Sequence, residues 1–227
     1  MATQPQPDVV MLCIVTNGRH EASLGCAVSL LRLQTALMTN PERIRADMHF
    51  VPTLDDALNL LHRDAEAKSA CIVDCTVGFD ADFLFRARRS GLPLVLGVHP
   101  LPLVDWERVK RQPADESPQF WGNVYNVKPT GAARDGYAKV TASKVGLVWV
   151  TKDAVARIAR EHPELASADG TYVQFAVPGL QDGVRVDGDE RFLKLYGDEL
   201  WADIERPAAS SGPLEFGGCV GARDVLR

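Results

Sequence analysis

Ala70-Cys-Ile-Val-Asp-Cys-Thr-Val-Gly-Phe-Asp-Ala-Asp-Phe83 is the stretch that decides how the chain is read. An apolar run ends in Asp74, a turn-rich passage follows, and Phe83 to Arg89 has the spacing of a short helix. Gly91-Leu-Pro stops that helix, and Leu94-Val-Leu-Gly-Val98 is apolar again. Continuous apolar runs are expected of strands buried on both faces, and the order strand, helix, strand predicts parallel pairing under a helical layer.

The pattern extends towards the N-terminus. Val9-Val-Met-Leu-Cys-Ile-Val-Thr16 reads as a first buried strand, followed by the polar turn Asn17-Gly-Arg-His20 and a helix with Val28, Leu31 and Leu37 pointing inward. Met48 to Val51 reads as a second strand. Thr53 is placed to cap the next helix, with Asp55 and Asp56 in its first turn and Leu54, Leu58 and Leu61 on its inner face. The three runs Val9–Thr16, Ala70–Asp74 and Leu94–Val98 are expected as neighbouring inner strands. Ligands bind such sheets at the carboxyl ends of the strands, which is where Thr16, Asn17, Asp74, Thr76 and His99 fall.

The second half is less regular. Trp106 to Arg111 suggests a helical turn with Trp106 in the core, and 113–136 is rich in Pro, Gly and Asp and reads as loops. Val145-Gly-Leu-Val-Trp-Val150 reads as a strand, with Thr151 capping a helix through Ile158. From Gly179 onward, turns alternate with short elements. Residues 1–8 read as a disordered tail and 9–227 as one domain, with a first half 9–110 and a second half 111–227.

Composition removes several function classes. The chain has 227 residues and a formal net charge of −5 without a basic run, which argues against nucleic acid as a partner. No apolar run reaches membrane-spanning length, and the opening residues lack a leader pattern, so a cytoplasmic location is expected. Five scattered cysteines without a Cys-x-x-Cys pair read as reduced core residues. P-loop, dinucleotide, nucleophile-elbow and His-Glu-x-x-His motifs are all missing from the sequence.

The segment from Ile72 to Phe83, continued by Val98-His-Pro-Leu-Pro-Leu-Val-Asp-Trp-Glu-Arg-Val109, resembles the core of GT-A glycosyltransferases. It is similar to the branch with an I-D-S-D-I-G-F-D-P-D pattern followed by Y-P-x-K-x-x-D-W-x-x-V. Ala57-Leu-Asn59 resembles that branch's A-R-N, Val145 to Val155 its acceptor-side strand and helix, and Leu214-Glu-Phe-Gly-Gly218 its L-x-H-x-G. The resemblance implies an α/β, GT-A-like (Rossmann-like) fold, a mostly parallel sheet flanked by helices with a mixed C-terminal half. It implies a nucleotide-diphospho-sugar donor, Mn2+ or Mg2+ held by Asp74, an acceptor glycan or protein, and an acceptor-activating base at Asp189 or Glu190. A hard cation held by hard oxygens is what a leaving diphosphate needs.

The departures are specific. Thr76 stands where the second acid of the D-x-D belongs, Phe216 where the metal-side His belongs, Leu58 in place of the A-R-N arginine, and Pro102 in place of a basic residue. Two functions from different classes are therefore carried forward: a glycosyltransferase, and a catalytically degenerate binding or scaffold subunit, either of them a homo- or hetero-oligomer. Asp74 also reads as a turn cap, and Asp189 and Glu190 as surface charge leading a helix.

Overall fold

The computed structural model describes residues 7–19, 21–40, 42, 44–111, 123–181, 184–205 and 209–210. In the first half, β1 (Asp8–Val15), α1 (Leu24–Thr39), β2 (Ile44–Val51), α2 (Leu54–Arg63), β3 (Ser69–Asp74), β4 (Val77–Gly78), α3 (Asp82–Ser90) and β5 (Leu94–Gly97) alternate as the apolar runs and their breaks predict. The second half adds β6 (Pro100–Val104), α4 (Trp106–Lys110), β7 (Asn123–Tyr125), β8 (Val127–Arg134), β9 (Tyr137–Ala142), β10 (Leu147–Thr151) and α5 (Lys152–Glu161). It ends with β11 (Gly179–Gln181), β12 (Val184–Val186), α6 (Gly188–Tyr196), β13 (Trp201–Asp203) and β14 (Ala209–Ser210).

Eight strands form the main sheet in the order β2-β1-β3-β10-β5-β13-β9-β8. β1 pairs in parallel with both β2 and β3, and β13 with β5, whereas β10 opposes β3 and β5, and β9 opposes β13 and β8. Only β10 and β9 are thus reversed, and the sheet is mixed but mostly parallel, flanked by helices. β1 and β3 are neighbours as expected. β5 is not β3's neighbour, because β10 from the second half lies between them. The Pro- and Gly-rich stretch read as loops contains β7 and β8 and leads into β9, because tertiary pairing at a sheet edge overrides weak strand propensity.

Side chains alternate between two cores across the sheet. Met11 and Cys13 of β1, Ile72 of β3 and Val148 and Val150 of β10 face α2, α5 and α6. Leu12 and Ile14, Cys71 and Val73, and Leu147 and Trp149 face α1 and α3. Leu54, Leu58 and Leu61 are buried as predicted, and Thr53 and Thr151 accept the capping N–H groups of Asp56 and Ala154. Two inward assignments are corrected. Leu31 is 64% exposed, because Cys26, Ser29 and Leu33 take the sheet-facing side of α1. Trp106 is 67% exposed at the start of the short α4. Cys13, Cys26, Cys71 and Cys75 are buried free thiols, while Cys219, like His20 and the 214–218 stretch with Phe216, lies outside the described residues. Among the described residues, no helix is long and apolar enough to cross a membrane.

One buried ion pair ties α3 to the sheet. Arg86 donates through Nε and Nη2 to the Asp203 carboxylate at 2.9 and 2.7 Å, and through Nη1 to Asp80. Asp203 is 1% exposed, so removing its partner strands a charge in the interior. Arg86→Ala is expected to cost about 3–5 kcal/mol. That lowers the melting temperature by roughly 10 °C in a domain of this size, measurable by calorimetry. The double variant Arg86→Met, Asp203→Asn should recover part of the loss.

Candidate functional site

The carboxyl ends of β1 and β3 meet the N-terminus of α6 around a small cavity lined by Val15, Asn17, Leu54, Ile72, Asp74, Val145 and Asp189. Its volume is about 40 Å³, enough for a water-sized group. After β1 the chain turns through the left-handed region at Asn17 (φ 49°) and Gly18 (φ 76°). Asn tolerates this conformation because its short side chain finds local polar partners. Here Nδ2 of Asn17 donates to Oδ2 of Asp74 at 2.6 Å. Thr16 donates from its backbone N–H and its hydroxyl to the Val51 carbonyl, tying the turn to β2.

Asp74 leaves β3 with its carboxylate already engaged. Its Oδ1 accepts the backbone N–H of Thr76 at 2.8 Å and the Thr76 hydroxyl at 2.6 Å, a local turn closed by Thr76. Its own N–H donates to the Gly146 carbonyl at 2.8 Å. One residue earlier, the Val145 N–H donates to Oδ2 of Asp189 at 3.3 Å. The lead-in to β10 therefore holds the backbone of Asp74 and the carboxylate of Asp189.

Asp189 lies in the first turn of α6, whose N-cap Asp187 accepts from the Glu190 N–H at 2.8 Å. Lys144 reaches Asp187 at 2.5 Å and Asp189 at 3.6 Å. Burial pushes the Asp189 carboxyl above its usual range despite the Val145 N–H and Lys144. Asp187 is also pushed up by burial, but Lys144 and the helix N–H groups outweigh this and hold it below its usual value. Glu190 points elsewhere and pairs with Lys194 one helical turn on, at 2.9 Å.

His99 sits behind the site rather than in it. It is 5% exposed, its ring Nδ1 has no hydrogen-bond partner among the described residues, and its backbone N–H donates to Oδ1 of Asn126 at 2.9 Å. A Cβ on Gly146 would stand 2.5 Å from the imidazole, so the ring packs against that glycine. Burial pulls the His99 pKa down to about 4, against the raising influence of the Gly97 carbonyl and the Asp74 charge.

Among the sequence-predicted residues, Asn17, Asp74 and Asp189 come together on one cavity, Thr16 and Thr76 support it from its turns, and His99 and Glu190 do not line it. Sequence reasoning missed Lys144, Asp187 and Asn126. The spacing Asp187-x-x-Glu190 is a legible capping signal. Lys144 and Asn126 carry no such signal, since only the placement of β10 brings them near. Asn59, which resembles a motif residue, serves structure by exchanging hydrogen bonds with both backbone groups of Val173.

The donor set does not fit a resident divalent cation. Both oxygens of Asp74 are taken by Asn17 and Thr76, and the described residues contain no group of three or more Asp, Glu, His or Cys able to hold a metal. These two carboxylates alone fall short of the six or more oxygens a hard cation takes, so phosphate or water oxygens would have to supply the rest.

No family model matches the sequence, and no curated protein matches it. Solved structures similar to it include A197 from STIV, with a TM-score of 0.44 and 11% identity over 86% of this chain and 81% of that one. The 4-diphosphocytidyl-2C-methyl-D-erythritol synthase of Anaerococcus prevotii DSM 20548 gives 0.40 and 8% over 97% and 93%. Mouse xyloside xylosyltransferase 1 in its apo form gives 0.29 and 12% over 84% and 81%. Likenesses this distant carry no argument about activity.

Two outcomes follow from the geometry. His99 has a folded pKa of about 4, below its unfolded value near 6.5. Its contribution to stability is therefore complete above about pH 6.5 and is lost as pH falls towards 4, roughly 3 kcal/mol in all. Denaturation at stepped pH should show this slope, and His99→Phe should flatten it. For the metal, titration calorimetry should give no micromolar Mn2+ binding to the unmodified protein. Thr76→Asp, which replaces a hydroxyl by a carboxylate, should strengthen Mn2+ binding at least tenfold.

Proposed function

We propose that this chain is a nucleotide-sugar-dependent transferase of the GT-A type, moving a sugar from a nucleotide-diphosphate donor to an acceptor hydroxyl. The observation that carries the reading is the convergence of Asn17, Asp74 and Asp189 on one cavity at the carboxyl ends of β1 and β3. The cavity itself admits a water-sized group, so the nucleotide would lie across its mouth, with Thr16 and Asn17 on one side and Asp74 on the other. Asp189 is the base. Its raised pKa makes it a better proton acceptor than an ordinary carboxylate, and Lys144 stands beside it. It would take the proton of the acceptor hydroxyl as that oxygen attacks the anomeric carbon and the diphosphate leaves with the bonding pair. No step is assigned to a metal ion.

A specific observation favours a second reading, a GT-A-like binding subunit without turnover. Three of the roughly four acceptor sites of the Asp74 carboxylate are filled by Asn17 and Thr76, which leaves it little to offer a diphosphate-bound cation.

The two readings separate in one series. A panel of nucleotide diphosphates and their sugars, with and without Mn2+, is screened by thermal shift. A true donor at a hundredfold excess over its Kd should stabilise the fold by about 2.7 kcal/mol. A transferase should also hydrolyse or transfer the sugar. Asp189→Asn should then lower the rate roughly 10²–10⁴-fold while leaving donor binding intact. Binding without any turnover supports the subunit reading, and no shift with any nucleotide overturns the transferase.

A further inference from the structure

β2 forms one edge of the main sheet, and no described strand pairs with its outer side. It is eight residues long, against about five or six for a typical strand, and its register with β1 is unbroken by a bulge. Ala46, Met48 and Phe50 lie opposite Val10, Leu12 and Ile14 and so share the face covered by α1 and α3. That cover stops short of them: Met48 is 49% exposed and Phe50 66%. Arg45, Asp47 and His49 occupy the other face, where Arg45 pairs with Asp47 and Glu66. A long edge with large apolar side chains on one face is a template for another strand, and proteins that stay monomeric blunt such edges with bulges, prolines or inward charges.

We propose that two copies of this chain associate through β2, paired antiparallel about a two-fold axis at Met48. In this register Met48 lies opposite Met48 of the second copy, and Ala46 lies opposite Phe50 of the second copy, so a small side chain meets a large one. On the opposite face Asp47 meets the imidazole of His49 of the second copy, twice by symmetry. An axis at Asp47 would set two carboxylates face to face, and an axis at His49 would set Asp47 against Val51, losing the hydrogen bond between carboxylate and imidazole. Cross-strand polar pairs that hydrogen-bond stabilise antiparallel neighbours, and like charges directly opposite destabilise them. The result is an isologous dimer with one continuous sheet.

Light scattering on the intact chain tests the association, and the expected mass is twice 24.8 kDa. Met48→Lys puts two like charges on the axis and should return the mass of one chain, with circular dichroism unchanged because the site is exposed on the single chain, and with a melting temperature that no longer rises with protein concentration. Met48→Cys in a Cys219→Ser background tests the register. Directly opposite residues fall within disulfide reach, so oxidation should give a covalent dimer. Phe50→Cys alone should not, since Ala46 faces it. A single-chain mass for the unmodified protein overturns the proposal, as does a doubled mass that survives Met48→Lys. A dimer that Met48→Cys fails to cross-link overturns it as well.

Discussion

The ladder that β10 makes with β3 on one side and β5 on the other is the constraint on which the rest of the molecule depends. Leu147 to Thr151 run against β3 and Val148 to Val150 against β5, with Trp149 opposite Cys71 and Val95. A strand buried on both faces in the middle of a sheet cannot shift by one residue without exchanging its two cores. Val148 and Val150 are committed to one layer and Leu147 and Trp149 to the other. Gly97 lacks a side chain at the point where Leu147 crosses it, since a Cβ there would stand 2.5 Å from the leucine. Thr151 then caps α5, so the same strand orients the helix that covers its own face.

The site inherits its geometry from that ladder. Residues 145 and 146 precede the strand, and their backbone groups hold Asp189 and Asp74 respectively. Behind them Asn126 binds the His99 N–H and the carbonyls of Gly97 and Lys144, connecting β5 to the approach of β10. His99 fills the space left by Gly146 and is kept neutral by burial. The polar groups of this region are thus mostly satisfied by one another, which rigidifies the cavity walls and leaves Asp189 as the carboxylate with raised proton affinity.

The chemistry open to such a site depends on what Asp74 can still accept. In an isolated strand end its oxygens would face solvent or a cation. Here the neutral hydroxyl at Thr76 turns back on the carboxylate, and the Asn17 amide closes it from the other side. Thr76 therefore supplies two hydrogen bonds, from its hydroxyl and its backbone N–H, that hold the acid in place. This internal hydrogen bonding is the physical basis for carrying both a working transferase and a binding subunit forward.

The sequence determined the parts that depend on neighbours along the chain. Apolar runs marked β1, β3, β5 and β10, Thr53 and Thr151 marked helix starts, and Gly91 with φ 66° marked the end of α3. The strand-end rule also placed Asn17 and Asp74 at one end of the sheet. Pairing between distant segments was decided only in three dimensions, because a parallel run and an antiparallel run of Leu and Val have the same composition. For that reason β10 was not legible as the partner separating β3 from β5, nor β8 and β9 as an edge pair. Lys144, Asn126 and the inward burial of His99 follow from that pairing. Trp106 shows the converse limit: its ring favours burial, but the five-residue α4 leaves it at the surface. Asp189 lay between the two regimes, since its place in a helix's first turn was readable locally. Its meeting with Asp74 required a contact across 115 residues of chain (189 − 74), which only the folded sheet supplies.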